Sequence, residues 1–267
     1  MPWYVGIDEN GLGPQLGPLI VTGVLAELTP QAASRLESNP RAFLHNRLAD
    51  SKRLVDHRHI SLGEAWSRVL GDQAPNPAVL VNQLSLDSME TLHQLCPSTT
   101  KPMCWSLEQA AFSASDVQLE QAHADLQHLQ DLGVRVAWTR SAITCVKRLN
   151  RARNAGIGRL DLDLRSMEAL IVGARQHSGT ELVARCGKVG GLMRYANRLT
   201  TLSNYLVTVV EEKRAQSHYR LPGLGHVLFL RDAEERDPLV ALASLVGKWL
   251  REILMGSIVA FYRKRDT

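Results

Sequence analysis

The chain opens with two short runs of apolar and β-branched residues, separated by a segment rich in glycine and proline. The first run covers residues 4–7 and the second covers residues 19–25. Short runs of this composition, bounded by turn residues, are typical of strands, so the pattern predicts a hairpin. Two carboxylates, Asp8 and Glu9, directly follow the first run, which places an acidic pair at the mouth of the hairpin.

Apolar spacing beyond the hairpin predicts an alternation of helices and strands. Helical character is found at 28–60, 107–132, 166–177 and 239–255. Short apolar runs predict strands at 134–138, 182–184 and 226–230. Segment 72–106 contains four prolines and a polar S-T-T-K sequence, so we expect it to be irregular. The chain is therefore predicted to form one α/β domain over 1–267, with an insertion around 62–130.

Composition places the chain among ordinary globular proteins. Of its 267 residues, 45% are hydrophobic and 22% are charged, which is typical of such domains. The longest apolar runs are too short to span a bilayer, and the first residues lack the features of a signal peptide. We therefore expect a cytoplasmic protein without a membrane partner.

The cysteines, histidines and net charge limit the possible metal ligands and binding partners. The four cysteines have no C-x-x-C spacing and the nine histidines form no metal-binding pair, so any metal should have oxygen ligands. The net charge of +4 is compatible with nucleic acid without requiring it. Basic residues cluster at 140–159 and at 263–265, where they could meet phosphates or form a solvated basic face.

The acidic and glycine-rich opening allows three interpretations. A solvated turn would explain acidic residues followed by glycines. A dinucleotide-binding loop fits poorly, because the sequence G-L-G-P-Q-L-G departs from G-x-G-x-x-G and precedes a predicted strand where that motif requires a helix. The third interpretation is a family resemblance. The stretch D-E-N-G-L-G-P-Q-L-G-P resembles the opening motif of ribonuclease HII, D-E-x-G-[RK]-G-P followed by G-P.

Two further segments resemble that family, in the same order. D-S-K-R-L at 50–54 matches its D-S-K-[KR]-L element, in which Lys52 would contact phosphate. Segment 238–252 is similar to its closing P-x-V-x-A-A-S-I-I-A-K-x-x-R-D sequence. In that register the fourth catalytic carboxylate falls at Glu234, with Asp232 as the competing assignment.

Three positions depart from the family pattern. Leu12 and Leu192 stand where that family has basic residues, and Gly187 (or Cys186) stands where the third catalytic aspartate is expected. Asp161 and Asp163 are close in the chain, but the predicted helix begins only at residue 166, and they are not expected to replace the missing carboxylate.

The resemblance implies a ribonuclease H-like fold, with a mixed sheet, a leading antiparallel hairpin and flanking helices. It also implies a Mg²⁺- or Mn²⁺-dependent endonuclease that cleaves the RNA strand of RNA–DNA hybrids. Asp8 and Glu234 would bind metal, and Glu9 would bind metal or orient a metal-bound water or the 2′-hydroxyl. Substrate contacts would come from four residues, Gly11, Gly13, Lys52 and Lys188. The alternative is a catalytically inactive relative that binds nucleic acid or a protein partner. A third possibility is an unrelated nucleotide-binding protein.

Overall fold

A seven-stranded mixed sheet organises the molecule. The computed structural model describes residues 1–14, 16–44, 47–48, 54, 60–72, 74–98, 102–108 and 110–265. The strands are β1 (Trp3–Asn10), β2 (Leu19–Leu28), β3 (Val134–Thr144), β4 (Leu182–Gly187), β5 (Thr208–Glu212), β6 (Gln216–Leu221) and β7 (Gly225–Leu230). Their order in the sheet is β3-β2-β1-β4-β7-β6-β5.

Eight α-helices flank this sheet within the described ranges. They are α1 (Pro30–Ser38), α2 (Ser61–Leu70), α3 (Pro77–Leu84), α4 (Met89–Leu95), α5 (Asp116–Asp131), α6 (Val146–Asn154), α7 (Arg159–Ser178) and α8 (Pro238–Arg263).

The leading hairpin has the predicted form. β1 pairs antiparallel with β2, from Trp3 opposite Glu27 to Asn10 opposite Ile20, and β2 pairs antiparallel with β3. On its other side β1 runs parallel to β4, and β4 runs parallel to β7. The mixed sheet, its leading hairpin and the flanking helices constitute a ribonuclease H-like fold, as predicted.

Helix α8 packs closely against β1 and β2 because small residues line the contact. A Cβ atom added to Gly6 would lie only 2.4 Å from the backbone carbon of Leu239 and the backbone nitrogen of Val240. A Cβ atom on Gly247 would lie 2.7 Å from the Asn10 side-chain amide. Gly6 on β1 and Gly247 on α8 therefore permit the close contact between helix and sheet.

Helix α7 covers the opposite face of β1. Val5 and Ile7 are fully buried there, in a cluster that includes Leu164 and Met167. Since successive strand residues point to opposite faces, Gly6 and Asp8 belong to the α8 face, whereas Ile7 and Glu9 belong to the α7 face. The two neighbouring carboxylates therefore leave β1 on different sides of the sheet.

Several predicted elements have different bounds in the structure. Segment 72–106 is not irregular throughout, because α3 and α4 form there and pack against Trp249 and Leu250 of α8. Helix α5 begins at Asp116 rather than 107, since Ser115 caps it. Helix α7 begins at Arg159 rather than 166. Strands β5 and β6 and helix α6 were not predicted.

The long predicted helix at 28–60 is also interrupted. Helix α1 ends at Ser38 and a short 3₁₀ turn follows at Pro40–Phe43. Most of 45–59 lies outside the described residues. Within the described ranges, the helices lack the combination of length and apolar character needed to cross a membrane.

Candidate acidic site at the end of the central strands

The acidic pair lies at the edge of the sheet where the parallel strands end. Ile7 pairs with Cys186 at the end of the β1–β4 ladder, so Asp8 and Gly187 are the next positions on these strands. Parallel β7 also ends at this edge, with Leu230 opposite Gly187. Residues that follow the three strands therefore meet at one place, as ligand sites in α/β sheets commonly do.

The Cα–Cβ direction at Gly187 is toward both carboxylates. A Cβ atom added there would lie 3.0 Å from Asp8 Oδ1 and 3.5 Å from Glu9 Oε2. The backbone of Gly187 is not left-handed, since it is absent from the glycines with positive φ in the described chain. A side chain at position 187 would therefore face the acidic pair.

Glu9 is surrounded by negative charge. Burial is the main cause that raises the pKa of its carboxyl well above the usual value, and the charges of Asp8, Asp163 and Glu234 raise it further. These causes require that all three acids lie near Glu9. The structure thus brings Glu234 to the predicted pair and adds Asp163.

Of the two later acids, Glu234 is the one associated with the pair. It lies in the 3₁₀ turn Ala233–Glu235, between β7 and α8. Asp232 has about half of its side chain exposed and forms an ion pair of 3.2 Å with Arg231. The charge of Glu234 is among the main causes that raise the pKa of Glu9, whereas that of Asp232 is not. This difference favours Glu234 over Asp232 as the acid associated with the pair.

Asp163 lies inside the first turns of α7, whereas the sequence placed it before the helix. It is fully buried, and neither carboxylate oxygen has a hydrogen-bond partner among the described residues. Burial and the charge of Asp8 raise the pKa of its carboxyl. A signal was present in the sequence, because Asp163 precedes Met167 and Leu170 by four and seven residues, on the buried stripe of the helix.

Asp161 has a different environment although it is only two residues away. Its carboxylate accepts a hydrogen bond of 3.2 Å from the Gly158 backbone at the helix start. The same carboxylate meets Arg198 at 3.3 Å. Asp161 therefore caps α7 and does not take part in the acidic group.

Two arginines hold the glycine turn between β1 and β2. Arg159 Nη1 donates to the Gly11 carbonyl at 3.0 Å and also to the Pro14 carbonyl. Arg251 Nη2 donates to the Leu16 carbonyl at 2.8 Å. Burial, and then the neighbouring charge of Arg251, lower the pKa of Arg159. Leu12 is uncharged where the resemblance predicts a basic residue. Two cations nevertheless contact this turn, because Arg159 extends from α7 and Arg251 from α8.

The two glycines predicted to contact substrate differ in their surroundings. Gly11 has φ of 102°, and a Cβ atom there would lie 2.5 Å from the Pro18 carbonyl oxygen. Gly13 has no heavy atom within 4 Å of an added Cβ. Gly11 is thus required by the turn itself, whereas Gly13 leaves the turn open to a ligand.

Of the two predicted lysines, Lys188 is engaged elsewhere and Lys52 lies outside the described residues. Lys188 Nζ donates to the carbonyls of Leu192 and Lys213 at 3.3 and 2.7 Å, and to Ser217 Oγ at 3.0 Å. These contacts use all three N–H groups of an ammonium. Lys188 therefore ties β4 to the β5–β6 hairpin, and a substrate contact would require one of these bonds to break.

The donor chemistry suits a hard divalent cation. Four carboxylates approach the sheet edge, and Mg²⁺ and Mn²⁺ prefer oxygen ligands. The unpartnered oxygens of Asp163 are the strongest sign, because buried polar groups almost always have a partner. As they stand, no three acidic, histidine or cysteine side chains of the described ranges form a ready metal site. Cation binding would therefore require these side chains to turn toward one another.

Comparisons with known proteins do not add a family assignment. A scan against protein-family models finds no match, and a search of curated proteins finds none either. The resemblance to ribonuclease HII therefore rests on the motifs of the chain itself.

Proposed function

We propose that the protein is a metal-dependent endonuclease that hydrolyses the RNA strand of RNA–DNA hybrids. The observation that carries the proposal is the gathering of Asp8, Glu9, Asp163 and Glu234 at one edge of a ribonuclease H-like sheet. Divalent cations held there would neutralise a phosphate and activate water. Asp8, Glu9 and Glu234 are the residues that would hold them.

The chain itself would contribute position and charge. The β1 ladder fixes the backbone of Asp8 and Glu9 at this edge of the sheet, so their side chains would need only to turn in order to reach a bound cation. The glycine turn, held by Arg159 and Arg251, would present backbone groups to the sugar. A 2′-hydroxyl donates and accepts hydrogen bonds, so such contacts can distinguish RNA from DNA.

Cleavage of a labelled RNA–DNA hybrid tests the proposal. We expect slow cleavage by the wild type with Mn²⁺, because Gly187 lacks a carboxylate. Asp8→Asn should lower the rate more than about 100-fold, since even groups that only orient a metal ligand contribute about 10- to 100-fold. Asp131→Asn is the matched control, because Asp131 is exposed and ends α5 at the opposite edge of the sheet.

The same experiment addresses the alternative, an inactive protein that binds nucleic acid. The absence of cleavage by every well-folded variant with Mg²⁺ and with Mn²⁺ would contradict the enzyme. Retained hybrid binding in that case would favour the inactive relative. The observation that favours this second function is the glycine at position 187, because it supplies no carboxylate beside Asp8 and Glu9.

A further inference from the structure

Asp163 is the most unusual ionisable side chain of the described structure. Its side chain is inaccessible to water and both oxygens lack hydrogen bonds there. Ionisation of a buried carboxyl without a partner is strongly unfavourable. Other buried acids on the helices are satisfied: Glu168 accepts bonds from the Thr200 and Leu202 backbones, and Glu64 accepts bonds from Ser113 and Ala114.

Asp163 and Gly187 lie on different sides of the acidic pair, and Gly187 has no side chain to contribute a carboxylate. The pleat of β1 directs Asp8 to the same face of the sheet as Gly187, and an added Cβ atom at Gly187 would touch Asp8 at 3.0 Å. Glu9 leaves β1 on the other face, which α7 covers. A carboxylate on the first turns of α7 is therefore able to approach the acidic pair from the α7 face, whereas position 187 approaches both carboxylates from the end of β4.

We propose that Asp163 supplies the carboxylate that the end of β4 lacks, so that a divalent cation at this edge is held jointly by α7 and β1. This inference rests on the proposed function, because it concerns the same site. It assigns Asp163 as a metal ligand and accounts for its unpartnered oxygens. It also implies that an aspartate placed at 187 can replace it, because both positions face the Asp8–Glu9 pair.

Binding of Mn²⁺ alone, measured by titration calorimetry and by electron paramagnetic resonance of free Mn²⁺, tests this assignment without an activity assay. We expect Asp163→Asn to raise the Kd for Mn²⁺ at least about 10-fold. The double variant Asp163→Asn/Gly187→Asp should return to within about 3-fold of the wild type. Asp161→Asn is the matched control, because it removes an exposed carboxylate from the same helix turn.

The outcomes separate this inference from the proposed function. Loss of Mn²⁺ binding in Asp8→Asn but not in Asp163→Asn would overturn the assignment of Asp163 and leave the nuclease proposal intact. No Mn²⁺ binding by the wild type would overturn both. Equal losses in Asp161→Asn and Asp163→Asn would show a general charge effect and would also overturn it.

A single variant keeps the test decisive if Asp163→Asn does not fold. Gly187→Asp in the wild-type background should then lower the Kd for Mn²⁺ at least about 3-fold, because it adds a carboxylate beside Asp8 and Glu9. An unchanged Kd for Mn²⁺ in a folded Gly187→Asp protein would contradict the inference that an aspartate at position 187 can replace Asp163 as a metal ligand. Circular dichroism establishes folding in each case.

Discussion

At the scale of single residues, a hydrogen bond between two histidines links protonation to the stability of the sheet. His218 on β6 and His226 on β7 form this bond, since Nε2 of one lies 2.8 Å from Nδ1 of the other. One ring must donate and the other must accept, so protonation of both breaks the bond. Burial, and then the neighbouring His226, lower the pKa of His218, whereas the facing Glu211 opposes this shift.

The pair predicts a pH dependence of stability. Because the pKa of His218 is lower in the folded state, the unfolded chain binds more protons as pH falls below about 6.5. The stabilisation is complete above that pH and is lost as pH falls toward the folded value. The effect should be less than about 1 kcal/mol, or less than about 3 °C in Tm, because the pair is partly exposed.

Thermal unfolding between pH 5 and pH 8 measures this effect. His218→Gln should flatten the part of the Tm profile that lies below about pH 6.5. His123→Gln, on the exposed surface of α5, is the control and should keep the wild-type slope. Parallel profiles for wild type and His218→Gln would contradict the prediction.

Among the elements, α8 and β1 form a contact that leaves no room for a side chain at Gly6. An added Cβ at Gly6 meets backbone atoms at 2.4 Å, and backbone cannot rotate away as a side chain can. By contrast, an added Cβ at Gly23, on the adjacent strand β2, meets only side-chain atoms at 3.4 Å or more. The two glycines therefore form a matched pair within one hairpin.

We expect Gly6→Ala to lower the free energy of unfolding by about 3 kcal/mol or more, because the helix must move away from the sheet. Gly23→Ala should change it by less than about 1 kcal/mol, since the added methyl enters ordinary van der Waals contact. Urea unfolding of both variants measures the difference. Similar stabilities for the two would show that α8 does not depend on close approach at Gly6.

At the scale of the whole molecule, charge is distributed unevenly around the acidic edge. Helix α6 begins after β3, whose Thr144 pairs with Leu19 at the start of β2, so α6 starts at the same edge of the sheet as the glycine turn. Arg151 and Arg153 are exposed on this helix. Arg159, at the start of α7, contacts the turn itself. These positions support the expectation that basic residues accompany the acids and could meet phosphates.

The salt dependence of hybrid binding tests that expectation. In an Asp8→Asn background, which prevents cleavage, each phosphate contact should contribute about 0.9 to the slope of log K against log salt. Arg151→Gln/Arg153→Gln should therefore reduce the slope by up to about 2. Arg35→Gln serves as control, because α1 follows β2 at the opposite edge of the sheet. Equal slopes in all proteins would exclude α6 from the nucleic-acid surface.

The sequence by itself determined the features that have a local cause. The leading hairpin followed from two apolar runs around a glycine turn. The position of Gly187 beside Asp8 followed from motif register, which is local to each strand end. Helices α3 and α4, which lie in a segment of mixed composition, were not predicted. Their apolar residues are buried only because α8 provides a surface for them.

Tertiary structure alone decided which distant residues meet. The sequence predicts Asp163 to lie before α7, because the predicted start of that helix is seven residues late. Only the packing of α7 on β1 brings the Asp163 carboxylate toward Asp8 and Glu9. Lys188 matched a motif, yet the β5–β6 hairpin takes up its ammonium group. The turn after β7 separates Glu234 from Asp232, because it leaves Asp232 exposed and Glu234 half-buried. Contacts of this kind depend on how elements pack, and residue spacing along the chain does not contain that information.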